Sequence, residues 1–257
     1  MRQSPVVSPD ETGWRIGGRN AWLWDFVTPD ATVYRIEHSR GADVIKAVLG
    51  GDFSGVLVRD GWAPYMHLEA ATHQTCVAHL LRRCHGMLET ARGRAREVPL
   101  AARSLLLETL AVRDRRDRGE LGGAAPEAGI AELAARLAVL LDRSRIIRPA
   151  NRRLLTHLRR ERHAMVTVLR RRDVEATNFR AEQGIRPAVV NRKMWGGTRT
   201  RPGAHAQEVL MSVVQTCHQR RAGVVGFLTD VQHVPRALPP VVPPGWENLP
   251  TPAGASR

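Results

Sequence analysis

Between Ala21 and Thr28 the chain reads Ala-Trp-Leu-Trp-Asp-Phe-Val-Thr, and a strand with that sequence has no face for water. Successive side chains leave a strand on opposite sides, so Trp22, Trp24 and Phe26 line one face and Leu23 and Val27 the other. Asp25 is the one polar intrusion. Such a strand belongs near the middle of a sheet covered on both sides. Val6-Val7 reads as the end of a preceding strand, residues 4–10, that leads into Asp10. Thr32–Ile36 is a third strand, reached through the turn Thr28-Pro-Asp-Ala31. Residues 41–49 place Val44, Ile45, Val48 and Leu49 at helical spacing. Residues 53–59 then form a buried strand that delivers Asp60 at its carboxyl end, where ligands of α/β sheets gather.

Residues 63–91 carry a further strand or helix, and helical periodicity dominates beyond them. Helices are expected over 100–113, 130–143, 151–171 and 204–219, with a short one near 224–234. This gives one α/β domain over residues 1–235 with a helical insertion at about 92–150 and carboxyl-terminal helices. The stretch 236–257 is too rich in proline to pack.

Glu175-Ala-Thr-Asn-Phe-Arg-Ala-Glu-Gln-Gly-Ile-Arg-Pro187 sets Glu182 in a short helix that Pro187 is expected to stop. Arg180, Arg186, Arg192 and Lys193 surround it in sequence. An acid so placed is a neutralised surface charge or a metal ligand beside a bound phosphate. With Asp10 and Asp60 it makes a candidate Asp, Asp, Glu metal site. Each acid also has an ordinary reading: a turn or cap for Asp10 and Asp60, and an i, i+4 pair with Arg186 for Glu182. Asp25, strand-borne beside Asp10, is the decoy that could face the same cations.

The net charge of +14 and pI near 11.3 point to a polyanionic partner, nucleic acid before membrane surface. All but two of the 39 basic residues are arginine, which grips phosphate with two hydrogen bonds. The same bias would follow from a GC-rich genome. No apolar run approaches the roughly 18 residues of a membrane span, and the start lacks a secretory signal, so a cytoplasmic location is expected. Cys76, Cys84 and Cys217 do not form a disulfide framework. His73, Cys76 and His79 fit no standard zinc spacing and read as packing beneath the site.

Phosphoryl transfer needs an activated attacking oxygen, a stabilised leaving oxygen and compensation for charge at phosphorus. Two divalent ions about 3.5–4 Å apart supply all three when carboxylates hold them. Asp-Glu-Thr-Gly-Trp-Arg (10–15), Trp22-Leu-Trp, Ser39-Arg-Gly-Ala-Asp43, Asp60-Gly-Trp62, His73-Gln-Thr-Cys-Val-Ala-His-Leu80 and Ala181-Glu through Arg192-Lys resemble the insertion-sequence-66 family of bacterial transposases. The likeness runs to about residue 235 and implies a ribonuclease-H-like mixed sheet. It makes Asp10, Asp60 and Glu182 a catalytic triad holding two Mg²⁺, with Mn²⁺ an alternative. Transposon ends would be hydrolysed and the freed 3′ hydroxyl joined to target DNA. Arg180, Arg186, Arg192 and Lys193 are then DNA-binding candidates, and Asn178 supports Glu182 or caps its helix.

The resemblance further implies self-association and small accessory proteins of the same element. Phe179 stands where many members have asparagine, and Gln183 where they have arginine. The first aspartate lies nine residues from the start, so the expectation is the catalytic part of a longer protein or a truncated relic. The alternatives are a non-catalytic DNA-binding remnant and a ribonuclease-H-like nuclease.

Overall fold

A computed structural model describes residues 1–121, 125–142 and 148–233; the proline-rich 236–257 stretch lies outside them. Five strands form one mixed sheet: β1 (Val6–Ile16), β2 (Arg19–Val27), β3 (Thr32–Glu37), β4 (Val56–Arg59) and β5 (Thr72–Thr75), in the order β3-β2-β1-β4-β5. β1, β2 and β3 are antiparallel, while β4 and β5 run parallel to β1. This is the ribonuclease-H-like arrangement, with β1 at its centre.

The apolar pattern of 21–28 is obeyed on both faces. Trp24 and Phe26 pack with Val44, Ile45 and Leu49 of α1 (Ala42–Leu49), and Leu23 packs with Ile185 and Ala188 of α7 (Phe179–Trp195) and Ala204 of α8 (Arg201–Gln219). β1 runs past the expected end at Asp10 to Ile16, because pairing with β2 continues to Ile16↔Arg19. A turn through Gly17 and Gly18, both at positive φ, then reverses the chain.

Residues 63–91 resolve into a 3-10 turn (Ala63–His67), β5 and α2 (Val77–Thr90). The helices α3 (Glu97–Asp117), α4 (Ala125–Leu141), α5 (Pro149–Glu161) and α6 (Thr167–Arg170) follow, and they share a second core with α2. The single helix expected over 151–171 is broken between α5 and α6. There the Ala164 carbonyl accepts the Thr75 N–H at 2.9 Å, which draws the chain off a helical path to β5. The last described helix is α9 (Val224–His233).

Pro187 does not stop its helix. α7 runs on to Trp195, with Pro187 on its exposed side, so the Gln183 carbonyl deprived of a partner meets solvent while Ala181, Ile185 and Ala188 hold the buried side on the sheet. Gly184 allows that close contact. A Cβ there would stand 2.5 Å from Asp25 Oδ2 and 2.8 Å from Val27 Cγ2, both strand-borne. Gly184→Ala is therefore expected to cost about 1–3 kcal/mol, read as a lowered urea midpoint. An unchanged midpoint would mean that α7 lies farther from the sheet.

A candidate active site at the centre of the sheet

Asp10 and Asp25 face each other across the β1–β2 pair, on the side that α7 covers. Asp10 Oδ1 accepts the neighbouring Glu11 N–H at 2.9 Å. Its carboxyl is pushed up to about 7, chiefly by burial, then by the negative charges of Glu11, Asp60 and Glu182. Asp60 follows β4, and its Oδ1 accepts the Trp62 N–H at 2.8 Å, an Asx-type turn. The three acids thus share an electrostatic neighbourhood, though Asp10 and Asp60 do not join Glu182 in a tight cluster of ligand atoms.

Glu182 lies in the first turn of α7 and does not pair with Arg180, Arg186, Arg192 or Lys193. Its partner is Arg82 of α2, at 2.9 Å, with His79 Nδ1 at 3.8 Å. Arg180 instead binds Glu175 at 2.7 Å. Arg186 reaches Gln183 at 3.4 Å, and Arg192 donates to Thr12 Oγ1 at 3.0 Å and the Gly13 carbonyl at 2.7 Å. Lys193 is exposed. Asn178 precedes α7 without a side-chain capping bond; its amide donates to the Pro9 carbonyl at 2.9 Å, so it braces β1 beside Asp10. Phe179 is exposed.

Asp25 is fully buried, and no side chain among the described residues hydrogen-bonds either of its oxygens. Burial, with the Asp10 charge second, holds its carboxyl well above the usual range, and Gly184 closes over it. It is a sealed acid under the helix and is not open to a substrate. Tyr34 donates its hydroxyl to the Gly184 carbonyl from the same layer.

Other residues on the site escaped the sequence reading. Glu11, on the opposite face of β1, accepts Arg40 at 2.7 Å and the Tyr65 hydroxyl at 2.8 Å. Arg40 is sandwiched between Trp22 and Trp62, 4.2 and 4.0 Å from the ring centres, so Trp62 serves as packing. Arg59, the last residue of β4, is buried with Glu161 of α5 at 2.7 Å and also donates to the Asp60 carbonyl at 2.8 Å.

Beside Asp60 lies a cleft of about 490 Å³ lined by Gly61, Thr156, His157 and four arginines: Arg83, Arg152, Arg153 and Arg160. Arg83 has its guanidinium pKa lowered, first by burial and further by Arg153 and Arg160. No carboxylate among the described residues pairs with Arg83, Arg152 or Arg153. Like charges held this way call for an anion. Arg152 and Arg153 are neighbours in sequence, whereas Arg83 joins them from 69 positions earlier.

A family model described as "Transposase IS66 family" matches residues 1–206. No curated protein matches the chain. Among solved structures, the catalytic core domain of HTLV-2 integrase in complex with magnesium (dimeric form) is similar over 39% of this chain and 86% of its own, at 12% identity and a TM-score of 0.23. No helix among the described residues is long and apolar enough to cross a membrane.

Proposed function

Since this chain belongs to the IS66 transposase family, we propose that it cuts transposon ends and joins their 3′ hydroxyls to target DNA, with Asp10, Asp60 and Glu182 as its metal-binding acids. One observation carries the reading. Among the described residues, Asp10 on β1 and Asp60 just after β4 meet no guanidinium or ammonium group, and Asp10 has its carboxyl pushed up to about 7. Buried carboxylates that repel one another are stable as anions only beside a cation. At Glu182, Arg82 supplies such a charge, standing in for a metal ion.

The donor set fits Mg²⁺ or Mn²⁺, which are hard ions that take carboxylate oxygens and keep water. Two bound ions would supply the acidified attacking water and stabilise the leaving oxygen. The protein's own work is positioning. Asn178 and Arg192 tie α7 to β1, so that Glu182 and Asp10 keep a fixed relation, and Arg59 holds the Asp60 backbone. Arg82 must release Glu182 when a metal arrives, and it is then free to take a phosphate oxygen.

The arginine cleft beside Asp60 suits the backbone of the strand entering the site, and DNA is the partner that the charge favours. Replacing Arg152 and Arg153 by alanine is expected to flatten the salt dependence of DNA affinity, by roughly one unit of log–log slope per arginine. Fluorescence anisotropy with duplex DNA at several salt concentrations measures it, and an unchanged slope would place the DNA elsewhere. Self-association and accessory proteins of the element complete the proposal, as does a cytoplasmic location.

The decisive assay supplies pre-cut transposon ends, target DNA and Mg²⁺ to the full chain. Joined product supports a transposase. Hydrolysis without joining would indicate a nuclease of the same fold, and binding without either would leave a DNA-binding remnant.

A further inference from the structure

Cys76 stands just before α2 and His79 in its first turn, and each points a ligand atom toward Glu182. The three ligand atoms lie within 4.8 Å of one another, the one such group of His, Cys, Asp or Glu among the described residues. The geometry points to a binding site for a thiophilic divalent cation of the Zn²⁺ class at Cys76, His79 and Glu182, on the α2 side of Glu182 and away from Asp10 and Asp60.

A tetrahedral zinc with bonds of about 2.0–2.3 Å sets its ligands roughly 3.3–3.8 Å apart. His79 Nδ1 is 3.8 Å from Glu182 Oε1. That nitrogen is buried and has no hydrogen-bond partner. The Cys76 sulfur is buried too and accepts the Asn178 N–H at 3.2 Å, with the His79 and Ala78 N–H groups also directed at it. Several N–H donors around one sulfur stabilise a thiolate once a cation offsets its burial. Packing alone accounts for a buried sulfur. It does not account for an unpartnered imidazole nitrogen facing a carboxylate and a thiol.

Binding is chemically balanced. The thiol gives its proton to solvent as the sulfur–metal bond forms, and the imidazole carries its proton on Nε2 while Nδ1 takes the metal. Arg82, now 3.2 Å from His79 Nε2 and 2.9 Å from Glu182, loses both acceptors and swings away. Three protein ligands leave a fourth position for water or a substrate oxygen. Mg²⁺ does not compete here, because it prefers oxygen ligands and octahedral geometry. If Glu182 is also a ligand of the proposed catalytic site, the two sites draw on one carboxylate, and a thiophilic ion holds it on the α2 side. That consequence rests on the functional reading above; the site itself does not.

Co²⁺ is the probe, because thiolate ligation gives it a near-ultraviolet charge-transfer band. Titration of the metal-free full chain is expected to give this band at one equivalent, with Zn²⁺ abolishing it and a large excess of Mg²⁺ leaving it. Cys76→Ser should lose the band. His79→Ala, at a side chain 40% exposed and so tolerant of truncation, should weaken Co²⁺ binding at least tenfold while circular dichroism stays native. No band in the unmutated chain, or a band that survives Cys76→Ser, overturns the site. Mg²⁺-dependent DNA joining by the same preparation is read separately, so either result can fail without the other.

Discussion

Asp10→Asn is expected to abolish Mg²⁺-dependent cleavage and, in metal-free buffer, to make the protein more stable at pH 8 than the unmutated chain. The first effect follows from removing a proposed metal ligand and should be a loss on the order of 10³-fold, the scale seen when one preorganised electrostatic contact is deleted. The second follows from the raised carboxyl. Its folded value, about 7, lies above the ordinary 3.8, so the folded state keeps a proton that the unfolded chain has released between those values. The stability linked to this group is therefore complete below about pH 4, declines as pH rises through 7, and is flat above. The shift corresponds to at most about 4 kcal/mol. For a chain of this size that is roughly 10 °C in Tm. Asparagine removes the decline, so the two proteins should melt together near pH 4 and diverge by pH 8 in EDTA. Adding Mg²⁺ should close the gap by raising only the unmutated chain. Equal Tm values at pH 8 without metal would show that Asp10 is not under electrostatic stress.

Glu161→Leu should be the most damaging change away from the acids. Arg59 and Glu161 are 1% and 0% exposed, and removal of one partner strands the other as an uncompensated buried charge. The expected loss is about 3–5 kcal/mol, a fall in Tm of roughly 10 °C. The double variant Arg59→Met with Glu161→Leu should recover more than half of it, because the cost lies in the orphaned charge. A double variant as unstable as the single would mean that packing, and not charge, is at stake. Since Arg59 also holds the Asp60 carbonyl, the single variant should lose DNA cleavage at temperatures where it is still folded.

The sheet was legible where burial wrote a period into the sequence. Residues 21–28, covered on both faces, and 32–36, where buried Thr32, Tyr34 and Ile36 alternate with half-exposed Val33 and Arg35, read correctly, as did the turn at Thr28–Ala31, where the Thr28 N–H donates to the Ala31 carbonyl. β1 was read too short because Glu11, Thr12 and Gly13 interrupt the apolar pattern; their partners, Arg40, Tyr65 and Arg192, are distant in sequence. Pro187 misled for the opposite reason, a local rule overridden by packing on the other side of the helix. The three acids were proposed together from their places in the sequence, and the family resemblance gave that grouping its weight. Nothing local announces that Glu182 meets Arg82 and His79, 100 and 103 residues away, since long-range pairs leave no periodic trace.

The two ties between α7 and β1 have a mechanical corollary. Asn178 fastens the start of the helix to Pro9, and Arg192, near its far end, fastens it to Gly13. A rod pinned at two points along a strand cannot pivot about either. At the proposed metal site, adjustment to an incoming ion would then come from rotation about the Glu182 side-chain bonds or from the short segment after β4, where Asp60 sits ahead of Gly61.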